Sequence, residues 1–193
     1  MFDPQLTLDQ KEQLNRFVKE AYNYNKTHNL FVRDSEEAIY NKDIKDCWPA
    51  LEHIKKNESV LDIGTGAGFP GIVLAIFNKN PKFHVKLYEK SNIKCDFLET
   101  IKNKLNLGFH ILGRYQDEQI ETEYVVSRAF KQLDEILRIS REIIRVNHKL
   151  IVLKGKNAEN EINKLQQPLE FIYKLEKSIT DINSRILIVE VKK

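Results

Sequence analysis

The chain has only seven glycines, and four of them (Gly64, Gly66, Gly68 and Gly71) fall within eight residues. A chain so sparing with glycine places them where the backbone needs special geometry or a ligand must come close. The cluster reads Asp62-Ile63-Gly64-Thr65-Gly66-Ala67-Gly68-Phe69-Pro70-Gly71 and joins a short apolar strand pattern to an apolar helix pattern, Ile72–Phe77. Free N–H groups at such a helix start favour an anionic group. Three ligand classes use this geometry. A nucleoside triphosphate loop needs Gly-Lys-Ser/Thr after its glycines, and this one has none. A dinucleotide loop wants a third glycine three residues after the second, where Phe69 stands. S-adenosylmethionine fits better. Its carboxylate would take the loop amides, with Asp62 facing its ammonium and sulfonium end. Glu89 closes the next strand pattern and is placed to accept hydrogen bonds from a ribose diol.

Other residue types are informative mainly by what they exclude. The five histidines stand alone, so no metal site is expected. Cys47 and Cys95 form neither a disulfide framework nor a C-x-x-C pair, and neither has the context of a cytosine-C5 nucleophile. They read as small buried residues, and Trp48 reads as core. Arg128 ends a strand pattern, where it forms either a surface ion pair or a ligand contact. Its place at the ligand edge favours the contact. Net charge is only +3, yet residues 79–104 carry seven lysines against three acids, and residues 128–156 eight Lys/Arg against three. Within or beside these segments Lys94, Lys131, Lys154 and Lys156 could neutralise phosphates, which suits a polyanion; solvated helix faces are the alternative.

The elements that must position these groups follow from the hydrophobic pattern. Leu14, Phe17, Val18, Ala21 and Tyr22 form an amphipathic stripe, and residues 1–57 read as a helical N-terminal cap with a break expected at Pro49. From residue 58 to 193 strands alternate with helices: Ser59–Ile63, His84–Tyr88, Phe109–Leu112, Tyr124–Ser127 and Leu150–Leu153, with helices between most of them. That alternation predicts an α/β fold, a doubly wound and mostly parallel sheet. Phe171–Leu175 and Ile186–Val191 would close it with an antiparallel strand at the C-terminal edge. At 193 residues and 41% hydrophobic composition the chain is globular, and no apolar run reaches the ~18 residues of a membrane span. The first residues lack a basic-then-apolar signal, so a cytoplasmic location and no membrane partner are expected.

The Asp-x-Gly-x-Gly-x-Gly loop resembles that of class I, Rossmann-like methyltransferases. With Phe69-Pro70-Gly71, Val125-Val126-Ser127-Arg128-Ala129-Phe130 and Leu153-Lys154-Gly155, the chain is similar to one family among them. That is the small-subunit ribosomal RNA methyltransferase G family, also called glucose-inhibited division protein B. The resemblance runs from about Tyr24 to the last strand. It implies methylation of guanine N7 in the 530 loop of 16S rRNA (the guanine-527 site), with the rRNA or the small ribosomal subunit as partner; a monomer is expected as the acting form. It places Gly64, Gly66 and Phe69 at the donor, Glu89 on the ribose, Tyr115 and Gln116 along the adenine, and Arg128 beside the transferring methyl. Asp43-Ile44-Lys45-Asp46-Cys47 occupies the place of a His-x-x-Asp-Ser motif, with Asp for His and Cys for Ser, and Asn29-Leu30-Phe31 lacks an expected threonine. Other readings are the same donor fold acting on another RNA, a protein or a small molecule, an NAD-linked oxidoreductase, and a non-catalytic RNA-binding module.

Overall fold

The computed structural model describes residues 4–55, 58–77, 84–113, 119–165, 173–177 and 183–193. Helix α1 spans Leu8–His28 and starts with a capping box: the Gln10 amide donates to Thr7 Oγ1 at 3.2 Å, and the Thr7 amide donates back to Gln10 Oε1 at 3.0 Å. Its stripe residues Leu14, Phe17, Val18 and Ala21 are all buried, as their spacing requires. After α2 (Glu36–Ile39) the chain widens into a π-helical turn, Tyr40–Ile44, and continues as α3 (Lys45–His53). The break expected at Pro49 does not occur; α3 runs through it. Only the bond to the Lys45 carbonyl is forfeited, and burial of Trp48, Pro49 and Ala50 offsets that loss.

Seven strands form one sheet: β1 (Val60–Ile63), β2 (Val85–Tyr88), β3 (Phe109–Leu112), β4 (Tyr124–Arg128), β5 (His148–Lys154), β6 (Tyr173–Lys177) and β7 (Arg185–Val191). Their order is β3-β2-β1-β4-β5-β7-β6. The first five are parallel, and β7 is antiparallel to both β5 and β6. The antiparallel strand β7 therefore lies inside the sheet, and β6 forms the edge. Insertion of β7 lets its alternate residues Leu187 and Val189 enter the core.

Helices α4 (Gly71–Phe77) and α5 (Asn92–Leu105) cover one face together with the N-terminal helices, in one continuous core. Helix α6 (Leu133–Ile143) and α7 (Ala158–Asn163) belong to the other. Among the described residues no helix is long and apolar enough to cross a membrane.

Candidate active site

In an open parallel sheet, ligands bind beyond the carboxyl ends of the strands where the order reverses, here between β1 and β4. Register determines which residues meet there. Ile63 pairs with Tyr88, so Gly64 and Glu89 emerge side by side. The loop is sewn to β2 by the Gly64 amide, which donates to the Tyr88 carbonyl at 2.9 Å. Gly64 itself has φ +72°, and a Cβ there would overlap the Phe130 ring. Ala129, one residue earlier, adopts φ +47°, an uncommon left-handed conformation for a non-glycine residue, where the chain turns to lay Phe130 on the loop.

Beneath the loop lies Asp62, fully buried, with Oδ2 accepting the Gly71 amide at 2.8 Å. Among the described residues Oδ1 has no hydrogen-bond partner, and neither has the buried Thr65 hydroxyl. Burial pushes the carboxyl up to about 7, against the opposing influence of the Gly71 amide and Arg128. Asp62 therefore does not face the cleft as expected; it caps the start of α4 from below. A Cβ on Gly71 would overlap Leu87 and come within 2.8 Å of Asp62 Oδ2, so only glycine allows this approach.

Glu89 does sit at the tip of β2. Its Oε2 accepts the Gly66 amide at 3.0 Å, while Oε1 accepts the amides of Lys90 and Ser91 at 2.8 and 2.9 Å. The carboxylate thus bridges the loop and the start of α5. A cleft of about 440 Å³ opens beside it, lined by Gly64, Tyr88, Glu89, Phe130, Arg138 and Ile139 among others. That volume lies within the range of about 300–1,000 Å³ usual for small-molecule sites.

The geometry is that of a glycine-cradled cleft with an acid at the next strand tip. Residues 10–188 match the family model described as GidB, rRNA small subunit methyltransferase G. The chain belongs to this family. The protein named ribosomal RNA small subunit methyltransferase G of Brachyspira hyodysenteriae is 33% identical over 164 residues, 84% of this chain and 77% of that one. Its namesake in Pelagibacter ubique is 31% identical over 185 residues, 92% and 87%. The one in Mesoplasma florum is 36% identical over 161 residues, 79% of this chain and 66% of that protein. Among solved structures, a SAM dependent methyltransferase from Aquifex aeolicus gives a TM-score of 0.63 at 14% identity, covering 88% of this chain and 97% of that one. An O-methyltransferase from Bacillus cereus in complex with SAH gives 0.60 at 15% identity, covering 91% of each. The fold is that of the class I methyltransferases.

Seen as a methyltransferase G chain, several expected site residues change place. Phe69 is 4% exposed, with its ring centroid 5.1 Å from that of Phe17 and 6.1 Å from that of Phe31. Its ring belongs to the core and does not line the cleft. Arg128 stands at the end of β4 as expected, but its side chain is only 17% exposed. Its Nη2 donates to Asp43 Oδ1 at 2.8 Å, its Nη1 lies 3.6 Å from Asp46 Oδ2, and its guanidinium carbon is 5.2 Å from the Phe69 centroid. The ion-pair alternative is therefore correct in chemistry though not in place, because the pair is buried. Tyr115 and Gln116 lie outside the described residues.

Lys154 is the last residue of β5, and Lys94, Lys131 and Lys156 follow the carboxyl ends of β2, β4 and β5, yet their surroundings differ. Lys154 is 9% exposed and bonded to Glu161 at 2.8 Å and to the Lys131 carbonyl. It ties α7 to the post-β4 loop, whereas a phosphate contact was expected of it. Lys131 pairs with Glu135 and lies over the Phe130 ring. Lys156 is exposed and Lys94 half-exposed. Cys47 is fully buried, donates to the Asp43 carbonyl, and has its thiol pushed up by burial, so it is no nucleophile. Reading the sequence missed the part played by Asp43 and Arg33. The Asp-for-His replacement at position 43 was the available signal.

Proposed function

We propose that this chain transfers a methyl group from S-adenosylmethionine to N7 of a guanine in the 530 loop of 16S rRNA. The observation that carries the reading is the family match over nearly the whole chain, joined to a cleft of suitable size at the β1–β4 switch point. The residues present fit the donor. Glu89 offers a carboxylate at the ribose position, the glycine loop offers close approach, and the unpartnered Asp62 Oδ1 lies beneath it, where a nearby cationic group would favour the ionised form. Methyltransferase family membership sets aside the NAD-linked oxidoreductase.

When bound, the donor supplies an electrophilic methyl on a sulfonium sulfur. Guanine N7 is an unprotonated acceptor in the major groove, so its lone pair needs no general base before attack. The chain's part is then positioning. Glu89 and the loop orient the donor, and Phe130, laid on Gly64 by the turn at Ala129, bounds the cleft on the β4 side. Arg128, engaged by two carboxylates and stacked on Phe69, supports the loop from below instead of touching N7. Lys156 and Lys94 on the same edge offer charge to the rRNA backbone. An enzyme acting on the small ribosomal subunit works in the cytoplasm, and a single copy of this cleft suffices.

The test is incubation with methyl-labelled donor and unmodified small subunits, followed by mapping of the label. Label confined to one guanine in the 530 loop supports the reading. Label on another nucleotide, on ribosomal protein, or none at all overturns it.

A further inference from the structure

Asp43 is among the most deeply buried acids of the described chain, with its side chain 3% exposed. It sits in the π-helical turn Tyr40–Ile44, a geometry found mostly as short bulges at functional sites. Arg33 grips it with both forks, Nε to Oδ2 at 2.7 Å and Nη2 to Oδ1 at 2.9 Å. Arg128 donates to the same Oδ1 at 2.8 Å. One carboxylate therefore separates two guanidinium groups, and the second acid, Asp46, completes the charge balance at 3.6 Å from Arg128. Without the Asp43 charge the two arginines would face each other in a half-buried site, which costs heavily unless one of them leaves. Arg33 is the more exposed of the two, at 28% against 17%. Arg128 is further confined by its stack on Phe69, a residue of the glycine loop itself.

We propose that Asp43 is a positioning residue of the methyl-transfer site, which aims Arg128 at Phe69 and thereby sets the glycine loop that receives the donor. It couples the N-terminal helices to the cleft through a continuous path, Arg33–Asp43–Arg128–Phe69. An asparagine at position 43 would keep one acceptor oxygen but would turn an NH2 group toward Arg33 Nε and carry no charge, so the bidentate fork and the neutralisation of two guanidinium groups both depend on the acid. The proposal rests on the methyl-donor reading of the cleft but not on the identity of the RNA acceptor.

The test measures donor affinity by calorimetry, together with the melting temperature, for Asp43→Asn, Asp43→Glu and Ile44→Ala. Ile44 is buried in the same turn and carries no charge or hydrogen-bonding side chain, so its variant reports on lost packing. Asp43→Asn is expected to weaken donor binding about tenfold and Asp43→Glu, which keeps the charge, only a few-fold. Ile44→Ala should lower the melting temperature while leaving donor affinity within about twofold. In an Arg128→Ala background, Asp43→Asn should add less than about twofold, because its effect passes through Arg128. Unchanged donor affinity in Asp43→Asn, an equal loss in Ile44→Ala, or fully multiplicative losses with Arg128→Ala would each overturn the proposal. Should Asp43→Asn fail to fold, Asp43→Glu carries the test, and its unchanged affinity overturns the proposal equally. Wild-type protein that binds the donor but labels no rRNA would refute the proposed acceptor and leave this inference standing. Wild-type protein that binds no donor would refute both.

Discussion

The Gly71 amide donates to Asp62 Oδ2 at 2.8 Å, which ties the end of β1 to the first residue of α4 beneath the loop that separates them. One buried carboxylate so closes the cradle from below, and its other oxygen is left without a partner among the described residues. Its pKa of about 7 makes this contact sensitive to protons in the neutral range.

Donor affinity should therefore rise with pH. Below about 7 Asp62 holds a proton, and a cationic donor above it must displace that proton to gain the full attraction. Calorimetric titration from pH 6 to pH 7.5 should show a several-fold tightening in the wild type and almost none in Asp62→Asn. At saturating donor and RNA the single-turnover rate should stay nearly flat over the same range, since N7 attack requires no base. A bell-shaped rate profile would reveal a catalytic base that the cleft does not show.

The same group has a stability signature of opposite slope. Its folded pKa lies above the unfolded value of 3.8, so between those two values the folded state holds more protons and stability falls as pH rises. Relative to Asp62→Asn, the wild type should lose up to about 1.4 kcal/mol per pH unit from about pH 4 to pH 7, an upper bound. Urea denaturation of both proteins at pH 5 and pH 7 measures the difference. A constant difference would mean that Asp62 is ionised throughout.

Glu89→Ala removes the acceptor for three backbone amides and, on the proposed donor reading, for the ribose diol. Loss of charge-assisted hydrogen bonds of this kind costs ~1.5–3 kcal/mol, so donor binding should weaken roughly tenfold to a hundredfold. Isothermal titration checks it, and unchanged affinity would remove Glu89 from the donor site.

Gly64→Ala should be poorly tolerated for two separable reasons. The left-handed backbone at φ +72° costs an L-residue roughly 1–2 kcal/mol, and the new methyl overlaps the Phe130 ring. Phe130→Ala removes the second cost but not the first. Melting temperatures of the two single variants and the double variant should therefore show favourable coupling between the substitutions. Strict additivity would mean that the ring does not rest on the loop.

Salt dependence should separate the lysines. Lys156→Ala is expected to reduce the slope of log affinity for rRNA against log salt by about 0.7–0.9, the share of one phosphate contact. Lys154→Ala should leave that slope unchanged but lower the melting temperature by a few degrees, because the Lys131 carbonyl loses its donor and Glu161 keeps the Leu133 amide but not the ion pair. Filter binding across a salt series, with thermal melts alongside, distinguishes the two roles.

Local pattern alone determined much of this protein. The alternation of Ser59–Ile63, His84–Tyr88 and Tyr124–Ser127 with helical stretches implied a parallel sheet, because parallel strands require crossovers. The glycine cluster and Glu89 marked the edge of the sheet where the cleft opens, since both lie at strand ends and strand ends are visible as changes of period. What tertiary structure decided was the direction in which side chains leave that edge. Asp62 and Phe69 sit in the motif, yet one caps α4 from beneath and the other stacks between Phe17 and Arg128, as no spacing within the loop could reveal. The pairing of Arg128 with Asp43 joins residues 85 positions apart, and Lys154 becomes a structural tie only because α7 folds back to bring Glu161 to it. Periodicity reports which face of its own element a residue occupies. Partners contributed by distant elements are set by how those elements pack, and that is where the charges of this site found theirs.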